Sequence, residues 1–183
     1  MHKSTLQLIM QLRQFPYQLE QHVACLPYKQ LTHACSHTKM NIAQHVHHLA
    51  DAHMTIYIHS RLIYTENEPP LKPYDESDWL RCNDCASADI TASLAILRGT
   101  HDRMAEFFST LTPSDWQRAG NHPVNGYSTL HNQLELLVAH GQAHLAQIIT
   151  QINDLSLQLP VSNRLQEQVT MVPVKTDVIC ATV

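Results

Sequence analysis

Between Leu130 and Leu155 the residues Leu130, Leu134, Leu137, Gly141, Leu145, Ile148, Ile152 and Leu155 succeed one another in steps of three or four. At about 100° per residue, such steps keep all eight on one face of a single helix of roughly seven turns. One long helix cannot cover its own apolar seam, so the pattern demands other helices packed along it and predicts a bundle. Ser128 is placed to cap this helix and Pro160 to end it.

Three further segments carry the same period. Asn41 reads as an N-cap for a helix that runs to about Tyr64 through Ile42, Val46, Leu49, Ile56 and Ile63. Ser87 or Asp89 can cap another, through Leu94, Leu97, Met104, Phe107, Phe108 and Leu111. Near the N-terminus Leu6, Ile9, Met10 and Leu12 predict a short helix that stops near Pro16, which would open a second stretch through Leu19, Val23 and Leu26. The stretch "ENEPPLKPYDESDWLRCNDCAS" breaks any helix with prolines at 69, 70 and 73, and makes a crossover of about twenty residues. "TPSDW" (112–116) reads as a capped turn and "GNHPVNGYS" (120–128) as a loop. Only four glycines are present, which disfavours a turn-rich β fold and any glycine-rich phosphate loop. The expected fold is all-α: a four-helix bundle over residues 1–159 with a long crossover between the second and third main helices. Residues 160–183 form a tail whose alternation is too weak to assign.

Fourteen histidines stand out against this background. "QHVHHLADAHM" (44–54) holds four of them, and His59 follows on the same helix. His140 and His144, four apart, lie about 40° apart on the edge of the leucine seam and point partly into the bundle. Two imidazoles so placed can share one metal. Gly-Gln-Ala separates them, so the Glu of the H-E-x-x-H motif is absent. A site with an open position needs a third protein ligand. His45, His47, His48, His53 and His59 all compete for that role, and spacing alone does not choose among them. Gly141, inside the seam at a cost of about 1 kcal/mol relative to Ala, predicts close approach by a neighbouring group.

The formal charge of −4 and the lack of any Lys/Arg run give no reason to expect nucleic acid or anionic lipid as a partner. Leu6–Leu12 is too short and too polar for a signal peptide, and no stretch reaches the ~20 apolar residues of a membrane span, so the expected location is cytoplasmic. Five irregularly spaced cysteines suit unpaired thiols in a reducing compartment. Cys82 and Cys85 form a lone CxxC, a weak signal for zinc or redox chemistry.

Four short motifs in order resemble the DinB/YfiT-like superfamily, and within it the YfiT-type branch of metal-dependent hydrolases. They are Gln44 followed by His47, His48, Leu49, Ala50, Asp51 and His53; Lys72, Pro73, Tyr74, Asp75, Glu76 and Trp79; His122 and Pro123; and His140, Gly141, His144, Ala146 and Ile148. The resemblance spans roughly Leu6 to Ile152. It implies a four-helix bundle with one divalent metal held by His48, His140 and His144, with His47 in reserve for the first. The chain departs from the family pattern at Met40 and Asn41, where a Trp is usual, and at Ala139, Ala143 and Gln147, where aromatic or histidine residues are common.

Three neutral imidazoles suit Zn²⁺ or Ni²⁺ first, with Fe, Co and Mn also admissible. A divalent ion with an open position makes water nucleophilic near neutral pH, which implies hydrolysis of a small-molecule substrate. The same position can instead bind a low-molecular-weight thiol for S-transfer, as in the wider superfamily, or a ligand without chemistry. His53, Asp51 and Glu76 are the candidates for a general base, Glu76 only if the crossover folds over the site. A homodimer is the expected assembly if the chain is not a monomer.

Overall fold

The structure is a computed structural model that describes residues 3–34, 40–124 and 126–158. The tail expected over 160–183 lies outside the described residues. Four long helices dominate: α1 (Lys3–Val23), α3 (Ile42–Thr65), α5 (Thr91–Ser109) and α6 (Leu130–Gln158). Two single-turn helices, α2 (Tyr28–Leu31) and α4 (Glu76–Trp79), lie in the connections. Each of α1 and α3 packs against both α5 and α6, so the four make a square with α1 and α3 on one diagonal. This is the four-helix bundle that the seam on α6 requires.

The helix starts obey local rules. Asn41 caps α3 in a capping box with Gln44: the Gln44 N–H donates to Asn41 Oδ1 (2.9 Å), and the Asn41 N–H to Gln44 Oε1 (3.0 Å). Asp89 Oδ1 accepts from the Thr91 N–H at the start of α5 (3.0 Å). At α6 the cap is Thr129 rather than Ser128. Thr129 Oγ1 accepts from the Asn132 N–H (3.1 Å), while Ser128 Oγ accepts from the Gln133 amide (2.7 Å).

Two further expectations fail. Pro16 does not end the first helix, because α1 runs through it. A proline leaves the carbonyl four residues earlier without its helical donor, here that of Leu12. His101 on α5 takes over, its Nδ1–H donating to the Leu12 oxygen at 2.7 Å. Ile9, Leu12, Phe15, Leu19 and Val23 are all buried along the continuous helix, so packing holds it together across the break. The second failure is the loop at 120–128, which is an antiparallel hairpin of β1 (Ala119–His122) and β2 (Gly126–Thr129). Gly126 supplies the positive φ (+71°) that opens β2. Asn121 also pairs with the crossover, accepting from the Leu71 N–H (2.9 Å) and donating to the Pro69 oxygen (2.8 Å). The crossover is thereby fastened beside the hairpin and directed over one side of the bundle.

The apolar core falls into two halves. One gathers Phe15, Leu19, Val46, Leu49, Leu97, Leu145 and Ile148. The other gathers Leu12, Ile56, Met104, Phe108, Leu134 and Leu137. On every helix the residues between the halves belong to one layer, and on α3, α5 and α6 that layer carries histidines.

Gly141 is in this layer, and a Cβ built on it would sit 2.9 Å from Cε2 of Phe15. The expected close approach is therefore of α1 to α6, through a ring that is itself 3% exposed and stacked on His101. Gly141→Leu should lower unfolding free energy by about 1–3 kcal/mol through overpacking. Chemical denaturation checks this, and a neutral or stabilising result would contradict the packing.

Candidate metal centre

His48 on α3 and His140 and His144 on α6 converge. One ring nitrogen of each lies within 4.8 Å of the other two, an arrangement that can hold a metal ion. His48 Nε2 and His140 Nε2 are 3.2 Å apart. Two imidazoles on one ion with bonds of about 2.0–2.1 Å set their nitrogens about 2.9–3.4 Å apart, so the observed spacing fits two ligands of a common centre. Among the described residues no other group of three His, Cys, Asp or Glu converges in this way. Cys82 and Cys85 are free thiols, the first exposed and the second buried. Burial, then Asp84, pushes the Cys85 thiol up to about 11, away from the thiolate that would bind metal.

The donor set suits a divalent cation because the rings are held neutral. Burial first, then the neighbouring histidines, pushes His48 down to about 3 and His140 to about 4; burial lowers His144 as well. Neutral imidazole is the form that ligates.

The other histidines of the first cluster divide by helix face. His47 turns away from the site, with Nδ1 2.8 Å from Ser93 Oγ and its Nε2–H donating to the Ser87 oxygen (3.0 Å). His45 and His53 instead stand behind the α6 pair. His45 shares a hydrogen bond with His144 (Nδ1···Nδ1 2.8 Å), and its other nitrogen is met by the Gln151 amide (3.1 Å). His53 Nε2 is 3.2 Å from His140 Nδ1, and its own Nδ1 is 2.7 Å from His101 Nε2. Each α6 histidine is thus buttressed by one from α3.

His48 and His140 also form one end of a cleft of about 370 Å³. His48, Ala52, Thr55, Ile56 and His59 line it from α3, so it follows that helix for about 16 Å. His122 and Ser128 contribute from the hairpin, and Tyr74 and Glu76 from the crossover. The crossover is fixed there by His59, whose Nε2–H donates to the Lys72 oxygen (3.0 Å). Tyr74 packs on Trp79, with ring centroids 4.6 Å apart, and burial, then Glu76, raises the Tyr74 phenol above its ordinary value.

The three base candidates fare differently. Glu76 lines the cleft together with His48 and His140. His53 is fully buried behind His140. Asp51 lies off the cleft, half-buried towards Asp84 and His47, and burial, then Asp84, raises its carboxyl. Two residues of this network, His101 and Gln151, are not singled out by the sequence. A signal for His101 was present: it takes the seam position between Leu97 and Met104 on a helix whose other seam residues are apolar.

Residues 11–148 match the DinB superfamily. A protein named "Putative metal-dependent hydrolase YfiT", from Bacillus subtilis, is 38% identical over 138 residues, covering 75% of this chain and 78% of that one. A relative of the same description from Oceanobacillus iheyensis is 36% identical over 107 residues, covering 58% of this chain and 62% of that one. The solved structure of Bacillus subtilis YfiT is titled "a probable metal-dependent hydrolase with an unusual four-helix bundle topology". It superposes with a TM-score of 0.81 at 34% identity, covering 85% of this chain and 90% of that one. No helix among the described residues is long and apolar enough to cross a membrane.

Proposed function

Since the chain belongs to the DinB superfamily, we propose that it is a metal-dependent hydrolase acting on a small molecule in the cleft beside His48 and His140. The observation that carries this reading is the convergence of three imidazoles, two of which, His48 and His140, line that cleft. A cleft of about 370 Å³ falls within the range of small-molecule sites, about 300–1,000 Å³. A divalent ion, Zn²⁺ or Ni²⁺ by ligand type, supplies the Lewis acidity that makes water nucleophilic near pH 7.

The protein's own residues do the rest. His45 and His53 hold the two α6 rings in place. Thr55 and Ile56 on α3, with Leu136 on α6, give the cleft walls on which the body of a substrate rests. Glu76 serves as the general base: among the described residues it is the one carboxylate lining the cleft, and it lies on the crossover.

The test is a screen of esters, amides and thiol-plus-electrophile pairs against protein of graded metal occupancy. Hydrolysis that rises with occupancy is expected. Turnover only when a thiol is supplied would replace hydrolysis with thiol transfer, and no turnover at full occupancy would leave a binding module. Glu76→Gln should lower kcat about 10²-fold or more with metal content unchanged. An unaltered kcat would remove Glu76 from the mechanism.

A further inference from the structure

The hydrogen-bond chain behind His140 can be read in one direction only. Pro16 has no N–H, so the Leu12 carbonyl lacks the donor that residue 16 would normally supply. It accepts instead from His101 Nδ1, at 2.7 Å. A carbonyl oxygen cannot donate, so the proton of His101 is on Nδ1 and its Nε2 presents a lone pair. His53 Nδ1, 2.7 Å from that lone pair, must then be the donor. This leaves His53 Nε2 bare, 3.2 Å from His140 Nδ1, which donates in its turn. The nitrogen left with a lone pair on His140 is Nε2, the atom that lies 3.2 Å from His48 Nε2.

We infer that Pro16, His101 and His53 form a tautomer lock that keeps the Nε2 lone pair of His140 turned toward the metal site. The inference rests on the proposed reading of His140 as a ligand. The lock passes through all four helices, from α6 to α3 to α5 to α1. His53 and His101 are 0% and 1% exposed, so solvent does not compete for the ring nitrogens that make the chain. Phe15 stacks on His101 and lies tilted against His53, fixing both ring planes. The chain is not a proton path, because it ends on a carbonyl that has no proton to give. His53 and His101 are positioning residues: they decide which nitrogen of His140 is free before any ion arrives. A proline inside a long helix thereby acquires a purpose, since it frees the carbonyl on which the chain is anchored.

The experiment uses full-length protein labelled with ¹⁵N in histidine and stripped of metal. Long-range ¹H–¹⁵N correlation at neutral pH reads the tautomer of each ring. His101, His53 and His140 should all carry the proton on Nδ1, and Nε2–H on any of the three overturns the lock. Two variants add a functional readout, metal affinity by chelator competition. In His101→Gln the amide can donate to Leu12 and accept from His53, so affinity should stay at the wild-type level. In His101→Met neither is possible, and affinity should fall about 10–100-fold with stoichiometry still at one. Wild-type affinity in a folded His101→Met protein would overturn the lock while leaving the metal site standing. Failure of the wild-type protein to bind metal would overturn the ligand assignment itself. If His101→Met does not fold, the tautomers of the wild-type protein decide.

Discussion

Replacing His140 with alanine is expected to abolish metal binding at micromolar protein and to leave the bundle folded. Four-ligand structural zinc sites bind with about 10–16 kcal/mol, or roughly 3 kcal/mol for each ligand. Losing one of three should therefore weaken affinity by about two orders of magnitude. The fold should survive because His140 lies at the edge of the layer, half-buried, with the two apolar halves of the core intact on either side. The local cost is the His53 nitrogen left without its partner, about 1–3 kcal/mol. Elemental analysis beside far-ultraviolet circular dichroism separates the two effects. Metal retained at the wild-type level would remove His140 from the site.

The second large effect is on acid stability. His45 is pushed down to about 4, His48 to about 3, and His101 and His140 to about 4, with burial the leading cause in each; burial also lowers His53 well below its ordinary value. Above the ordinary histidine value of 6.5 these rings are neutral whether the chain is folded or not, and their stability contribution does not vary. Between 6.5 and about 4 the unfolded chain takes up protons that the folded one refuses, so lowering the pH favours unfolding. Each such ring adds about 1.4 kcal/mol per pH unit to the slope. Two rings behaving this way would remove about 3–4 kcal/mol between pH 6.5 and 5, a large share of the stability of an ordinary domain. Melting temperature at constant ionic strength should therefore fall steeply from pH 7 to pH 5 in the metal-free protein. Saturating metal should raise it at pH 7, because the ion binds only the folded, neutral site. A flat profile from 7 to 5 would contradict the buried histidine layer.

The parts of this structure that sequence periodicity disclosed are those governed by local rules. The seam of α6, the Asn41 cap and the break after Thr65 each depend on a few adjacent residues, and each stands within a residue or two of its expected place. His48, His140 and His144 come together as the family resemblance implied. Pro16 was misjudged because the local penalty of a proline is answered from another helix, and nothing near residue 12 announces a donor 89 positions away. The hairpin was missed because its strands have four residues each, too short for an alternation to register, and it is stabilised by pairing with the crossover. The dense cluster 44–54 overstated its own share of the site. Helix geometry turns His47 toward Ser93 and Ser87 and sets His45 and His53 behind His144 and His140 on α6. Which α6 ring each would meet depends on how the two helices lie against one another, which spacing along one chain does not encode.

On the proposed reading three histidines, and no cysteine, hold one divalent ion. The decisive measurement is X-ray absorption of the full-length protein loaded with one equivalent of Zn²⁺. Three imidazole nitrogens at about 2.0–2.1 Å, with light-atom scatterers completing the shell, are predicted. Sulfur at about 2.3 Å would move the ion to Cys82 and Cys85 and rule out the histidine site.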